Sequence, residues 1–220
     1  MDAPPLPDAG PPRFDHAFCA QLQDLLIWRR DVRHFRPDPV PSALAEELLD
    51  IVQLAPSVGN SQPWRFVQLE SASARHSVRA SFARCNADAL AGYDGERAKR
   101  YASLKLSGLD RAPLQWTVFC DEATEQGHGL GRLTMPQTLA WSVVGAIHVL
   151  WLAARARGLG LGWVSILDPA EVSGALDVPP AWHFVAHLCI GWPDEEEATP
   201  ELERQGWQAR TSLGRSVLIR

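Results

Sequence analysis

Apolar residues recur at helical spacing through Phe14, Phe18, Leu22, Leu25 and Leu26, which predicts a first helix running up to a cluster of arginines. A second stripe, Leu44, Leu48, Leu49 and Val52, follows Ser42, a good N-cap, with Glu46 and Glu47 early in the helix. That helix must end near Ala55, because Pro56 disfavours helical backbone in the residue before it. "PSVGNSQPW" is a loop by composition, and "RFVQLE" after it alternates as a strand. From Arg79 to Leu109 the chain is polar with intermittent apolar positions, which predicts helix in pieces. "WTVFCDE" (Trp116 to Glu122) is a strand, followed by the glycine-rich "GHGLGR". The longest helix runs from about Pro136 to Arg157, with proline near its start and Gly158 at its end. It is apolar nearly all round, so burial on most sides is expected. "GWVSIL" and "FVAHLCIGW" are two further strands. Helices and strands alternate without a β-α-β rhythm. The expectation is an α+β fold, a mixed central sheet sandwiched by helices, with the long apolar helix at a dimer core.

The chain has 220 residues, enough for one domain with a proper core, over residues 14–210. "MDAPPLPDAGPPRFD" holds five prolines and reads as a flexible arm over residues 1–13, and residues 211–220 form a tail. It lacks the basic start and apolar run of a secretory leader, and "LAWSVVGAIHVLWLAA" stops short of the ~20 residues that span a bilayer. A cytoplasmic protein without membrane attachment is expected. At 46% apolar, 21% charged and a formal charge of −5, the composition excludes a nucleic-acid binder, which needs a basic face. Cys19, Cys85, Cys120 and Cys189 are scattered without metal-ligand spacing, so neither a metal site nor a disulfide framework is expected. "GHGLGR" and "GLGLGW" do not fit G-x-G-x-x-G and read as turns at a helix C-terminus.

The candidate chemistry lies in "RRDVRHFRP", where Arg29, Arg30, Arg33 and Arg36 fall within eight residues around one carboxylate, Asp31. Guanidinium forks match phosphate oxygens in pairs, so such a cluster suits a small anionic ligand. Asp31 would repel that anion. It either neutralises the cluster locally or points at a different part of the ligand.

"RRDVRHFRPDPVP" followed about twenty residues later by "APSVGNSQPWRFV" resembles the FMN-dependent nitroreductase superfamily. Its segments read R-R-S-x-R-x-F and A-P-S-x-x-N-x-Q-P-W. "LKLSGLDRAP", "VFCDE", "GLGRLTMPQTLAWSVVGAIHVLWLAARARGLGLGWVSILDP", "LCIGWP" and "PELERQGWQAR" extend the similarity, over about Phe14 to Arg210, to the BluB family of 5,6-dimethylbenzimidazole synthases. Asp31, standing where most nitroreductases carry serine, and Ser165 in "GWVSILDP" distinguish that family. The resemblance implies that reduced FMN is a substrate, destroyed by molecular oxygen. Its isoalloxazine is cut down to 5,6-dimethylbenzimidazole, the lower-ligand base of cobalamin, one ribityl carbon is kept between the two benzimidazole nitrogens, and part of the ribityl chain leaves as erythrose 4-phosphate. Arg29, Arg30 and Arg33 would then belong to the FMN-binding segment, with Arg210 returning to the phosphate. Ser57, Asn60 and Gln62 would line the flavin, Leu106 would lie against its rings, and Asp31 and Ser165 would do the chemistry. A homodimer sharing its FMN sites and a separate flavin reductase are the implied partners.

Plainer readings stand beside these. Asp31 alone is an ion-pair partner for Arg29 or Arg33, and Ser165 is a cap for the next turn. His148 is a satisfied core histidine, His34 a surface residue and Trp64 a packing anchor, and "DEEE" (Asp194 to Glu197) is a solvated loop. The competing enzyme is a nitroreductase or NAD(P)H:flavin oxidoreductase that retains its FMN. A passive flavin- or phosphate-binding module is the competing class.

Overall fold

The structure, a computed structural model, describes residues 10–211 and 217–220. Most of the expected arm (residues 1–9) and half of the expected tail (residues 212–216) lie outside the described residues. The elements run α1 (His16–Trp28), α2 (Ser42–Val52), β1 (Trp64–Gln68), α3 (Ala72–Ala91), α4 (Gly95–Ser103), β2 (Leu114–Asp121), α5 (Thr138–Ala156), β3 (Gly160–Val164), α6 (Pro169–Ala175), β4 (Trp182–Gly191) and α7 (Glu201–Arg204). The α+β class holds, but the sheet differs from the mixed one expected. Its strands, in the order β1-β2-β4-β3, pair antiparallel throughout. Among the described residues, parallel pairing is confined to one bridge, Asp31 with Leu161.

Alternation along the central strands assigns the two faces. Trp116, Val118 and Cys120 of β2, with Ala186, Leu188 and Ile190 of β4, meet Leu48 and Val52 of α2 and Val143, Ile147 and Leu150 of α5. Each such fully buried aliphatic side chain contributes ~1.5–3 kcal/mol. The opposite face, with Cys189 and Phe184, packs against Val78 of α3, Val172 of α6 and Phe35. Both faces being covered, β2 is buried along nearly its whole length. Burial pushes the thiols of Cys120 and Cys189 up to about 11 and about 12, so both are inert small hydrophobes, as expected. Trp64 is likewise a buried anchor.

Two local expectations are corrected. Ser42 is the first helical residue, not the cap, and Pro41 at the N-cap offers no side-chain bond. Helix α5 is buried on one face only: Trp141 is 55% and Val144 44% exposed, and His148 on the same stripe is exposed, not a core histidine. By length and hydropathy alone α5 could cross a membrane, but its other face packs on the sheet and α2.

The far face of the sheet carries a buried polar chain that no sequence pattern announces. His187 of β4 lies 2.9 Å from Thr117 Oγ1 through Nδ1 and 3.3 Å from Gln115 Oε1 through Nε2. Gln115 Nε2 donates in turn to the carbonyls of Leu109 and Ala112, fixing the end of the "LKLSGLDRAP" segment. With the Gln115 amide so oriented, its Oε1 only accepts, so Nε2 carries the His187 proton and Nδ1 accepts from Thr117. Burial, helped by Arg75, holds the imidazole down to about 3. The unfolded chain takes up that proton near pH 6.5, whereas the native state resists it until about pH 3. Stability should therefore fall as pH drops below about 6.5, by up to roughly 1.4 kcal/mol per pH unit from this group. Urea midpoints between pH 7 and 4.5 check this: His187→Gln should flatten the decline, and an unchanged slope would remove His187 as its source.

Candidate active site

The arginine segment leaves α1 and lies along the outer edge of β3. Val32 N–H donates to Leu161 O at 3.1 Å, and Asp31 Oδ1 accepts from Trp163 N–H at 2.8 Å. This approach requires glycine on β3. A Cβ on Gly162 would sit 2.1 Å from Val32 O, and one on Gly160 2.7 Å from the Val32 side chain. Two residues of "GLGLGW" thus serve as a docking edge, while Gly158, with φ +76°, makes the expected turn after α5.

The arginines then divide by what they hold. Arg33, nearly buried, reaches Asp31 Oδ2 through both Nε and Nη2 at 3.0 Å and donates to Lys105 O at 2.8 Å. Arg30 donates to the carbonyls of Ala198, Arg29 and Ile27. Both are spent largely on the protein. Arg29 instead stacks its guanidinium 4.8 Å from the Trp151 ring centre. Arg210 comes back from the C-terminal segment to the same cleft, of about 150 Å³, lined also by Asp31, Glu201 and Leu202. Burial first, and then the like charge of Arg210, lowers the pKa of Arg29, with Asp31 opposing. Burial, Arg210 and Arg29 lower that of Arg30. Four arginines here outnumber the two carboxylates, Asp31 and Glu201, so a bound dianion would relieve the crowded positive charge.

The geometry of Asp31 is compatible with both readings of its sequence position. It pairs with Arg33, yet its carboxylate is one-third exposed and forms part of the cleft wall. Ser165 lies one residue beyond β3, exposed, two positions after the Trp163 amide that Asp31 holds. Leu106 is half-buried, next to the Lys105 carbonyl held by Arg33. His34 is exposed as expected, 3.6 Å from Glu201, and the "DEEE" loop is exposed as expected, with Asp194, Glu196 and Glu197 facing Arg111, Arg155 and Arg204.

Ser57, Asn60 and Gln62 gather in a separate turn around a short 3-10 helix (Val58–Asn60). Ser57 Oγ accepts from Gln62 N–H at 3.0 Å, and Ser142 Oγ of α5 accepts from Val58 N–H at 3.0 Å. Asn60 and Gln62 both have positive φ, +55° and +43°, a strained backbone for residues with side chains. The glycine-rich loop after β2 buttresses them, contrary to the plain turn expected of "GHGLGR". A Cβ on Gly127 would lie 2.6 Å from Gly59 O, and Gln126 donates to Asn60 O and Gln62 Oε1. Ser61 Oγ, also in this turn, is buried without a hydrogen-bond partner.

Within one chain these two groups do not meet. The turn is anchored at Ser142 and the arginines at Trp151, where Trp151 Nε1 donates to Arg30 O at 3.1 Å. Those positions are about 13 Å apart along α5. Ser142, Trp151 and Gln126 were not among the expected site residues. A lone hydroxyl in an apolar helix was the available signal for Ser142.

The nitroreductase family profile matches residues 26–192. A 5,6-dimethylbenzimidazole synthase of Rhodospirillum rubrum is 61% identical over 199 residues, 90% of this chain and 94% of that protein. Another from Rhodobacter capsulatus is 51% identical over 89% of this chain and 94% of that protein. Among solved structures, an iodotyrosine deiodinase bound to FMN and 3-iodo-L-tyrosine shares the fold, with a TM-score of 0.70 and 24% identity over 90% of this chain and 97% of that one. Fold, motifs and relatives agree: the chain belongs to the nitroreductase family and, within it, to the enzymes of the 5,6-dimethylbenzimidazole synthase family.

Proposed function

We propose that this protein fragments reduced FMN with molecular oxygen, giving 5,6-dimethylbenzimidazole and erythrose 4-phosphate, as a cytoplasmic homodimer supplied by a separate flavin reductase. The observation that carries the reading is the convergence of Arg29 and Arg210, with Arg30 beside them, on a cleft whose wall is Asp31. Arg29 and Arg210 bind the phosphate of the substrate. Arg30 and Arg33 hold the segment in place, Arg33 also aligning Asp31 and the strip that carries Leu106 against the rings. The reduced flavin supplies the electrons for oxygen. Asp31 takes a proton from the ribityl end of the substrate, its orientation fixed by Trp163 N–H and Arg33, and Ser165 donates a hydrogen bond nearby.

The site is completed by a second copy. The exposed stripe of α5 (Trp141, Val144, His148) and the exposed apolar residues of α1 (Phe18, Leu22, Leu26, Trp28) leave one side unpartnered. A two-fold axis near Gly145 would bring the Ser142 end of one α5 beside the Trp151 end of the other. Ser57, Asn60 and Gln62 of one copy then reach the ligand held by the arginines of the other. No group of three His, Cys, Asp or Glu suited to a metal occurs among the described residues, and the reading uses no metal. The test is to mix the protein with photoreduced FMN in air and analyse products by chromatography with mass detection. Dimethylbenzimidazole is expected. FMN reoxidised intact would favour the oxidoreductase that retains its flavin.

A further inference from the structure

The C-terminal segment that carries Arg210 is fastened to α4 by groups lying outside the cleft. Trp207 packs edge-on against Tyr93 and Tyr101, with ring centres 5.7 Å and 6.1 Å away, and the two tyrosines lie 5.0 Å apart. Tyr101 is buried and donates through its hydroxyl to Asn86 Oδ1 of α3 at 2.8 Å, so the cluster is rooted in the domain. Beside it Arg100 Nη1 donates to Gly206 O at 2.7 Å. Trp207 N–H and Gln208 N–H both return to Leu202 O, closing the segment on α7, which lines the arginine cleft. The chain leaving this same C-terminal end of α4 leads straight to Lys105, whose carbonyl Arg33 holds. Helix α4 thus links the two sides of the cleft, Arg33 on one and the stretch leading to Arg210 on the other.

We propose that Trp207 and Arg100 are positioning residues for substrate binding: they clamp the C-terminal segment on α4 and thereby hold Arg210 at the phosphate. Arg210 is itself exposed, and its backbone lies outside any helix or strand. Among the described residues no hydrogen bond or ion pair holds its guanidinium, and the like charge of Arg29 repels it, so the clamp three residues before it sets where it lies. The inference rests on the reading of the cleft as the phosphate site, and the test separates the two.

Titrate oxidised FMN and riboflavin into the full-length protein, following flavin fluorescence. Arg210→Ala should weaken FMN about 10- to 100-fold, the loss of one charge-assisted contact, and leave riboflavin within about twofold. Trp207→Leu should show the same selectivity, at least about fivefold on FMN. The double variant should be little weaker than Arg210→Ala alone, because both changes remove one interaction. Trp207→Phe, which keeps an aromatic ring, should restore most of the affinity. If Trp207→Leu loses riboflavin as well, Arg100→Ala decides, with an FMN-selective loss expected. FMN selectivity lost in Arg210→Ala but retained in Trp207→Leu and Arg100→Ala would overturn the clamp alone. No selective loss in Arg210→Ala would overturn the phosphate reading and the clamp with it.

Discussion

Asp31→Asn is expected to lower the rate of dimethylbenzimidazole formation by about 10²–10⁴-fold while FMN affinity changes by less than about fivefold. Asparagine is nearly the same shape. Its amide oxygen can still accept the Trp163 N–H that Asp31 Oδ1 accepts at 2.8 Å, so the segment stays docked on β3. What it loses is the charge paired with Arg33 and the ability to take a proton. Arg33 is nearly buried but keeps the Lys105 carbonyl as a partner, and Asp31 is one-third exposed, so the loss should cost only about 1 kcal/mol of stability. A large fall in rate with little change in melting temperature is the signature of a proton acceptor. If rate and stability fell together, Asp31 would be serving only as an ion-pair partner. Ser165→Ala makes a useful companion, because Ser165 is exposed beyond the end of β3 and its removal should not disturb the fold.

A charge placed in the exposed stripe of α5 should have the second large effect. Trp141→Glu is expected to convert the protein to a monomer and to weaken FMN by more than about 100-fold. In the single chain Trp141 is more than half exposed, so glutamate there leaves the core intact. Between two copies it would bury an uncompensated carboxylate, which costs several kcal/mol. Flavin affinity should fall with the dimer because, in the proposed site, the turn anchored at Ser142 of one copy completes the pocket around the arginines anchored at Trp151 of the other. Light scattering and flavin titration read the two effects, and far-ultraviolet circular dichroism checks the fold. A monomer that still bound FMN like the parent would place the whole site within one chain.

Which features could be read from sequence follows from the physics of each. The strand runs and the long helix were legible because period and composition report burial directly, and β2 and α5 lie close to where periodicity put them. On the far face of α5 the same reasoning expected cover and a dimer core, without saying which residues the single chain would leave exposed. A helix that is apolar all round looks identical whether its second side is covered by its own chain or by another, so the exposure of Trp141 and His148 could not be anticipated. Arg210 beside Arg29 was foreseen only through the family resemblance, since spacing alone says nothing about two residues so distant in the chain. The division of labour among the arginines was hidden for the same reason. Arg30 and Arg29 are neighbours of one type and both line the cleft, yet one is held by carbonyls and the other stacks on Trp151. The buried His187 chain and the glycine contact between residues 59 and 127 depend on tertiary approach and left no local signal.

The central claim is that the flavin is consumed and the five carbons of its ribityl chain are divided between two products. The most direct measurement uses reduced FMN with every ribityl carbon replaced by ¹³C, mixed with the protein in air. The account predicts dimethylbenzimidazole heavier by one carbon and erythrose phosphate heavier by four, together matching the FMN lost. FMN recovered whole, or a benzimidazole without the heavy carbon, would contradict it.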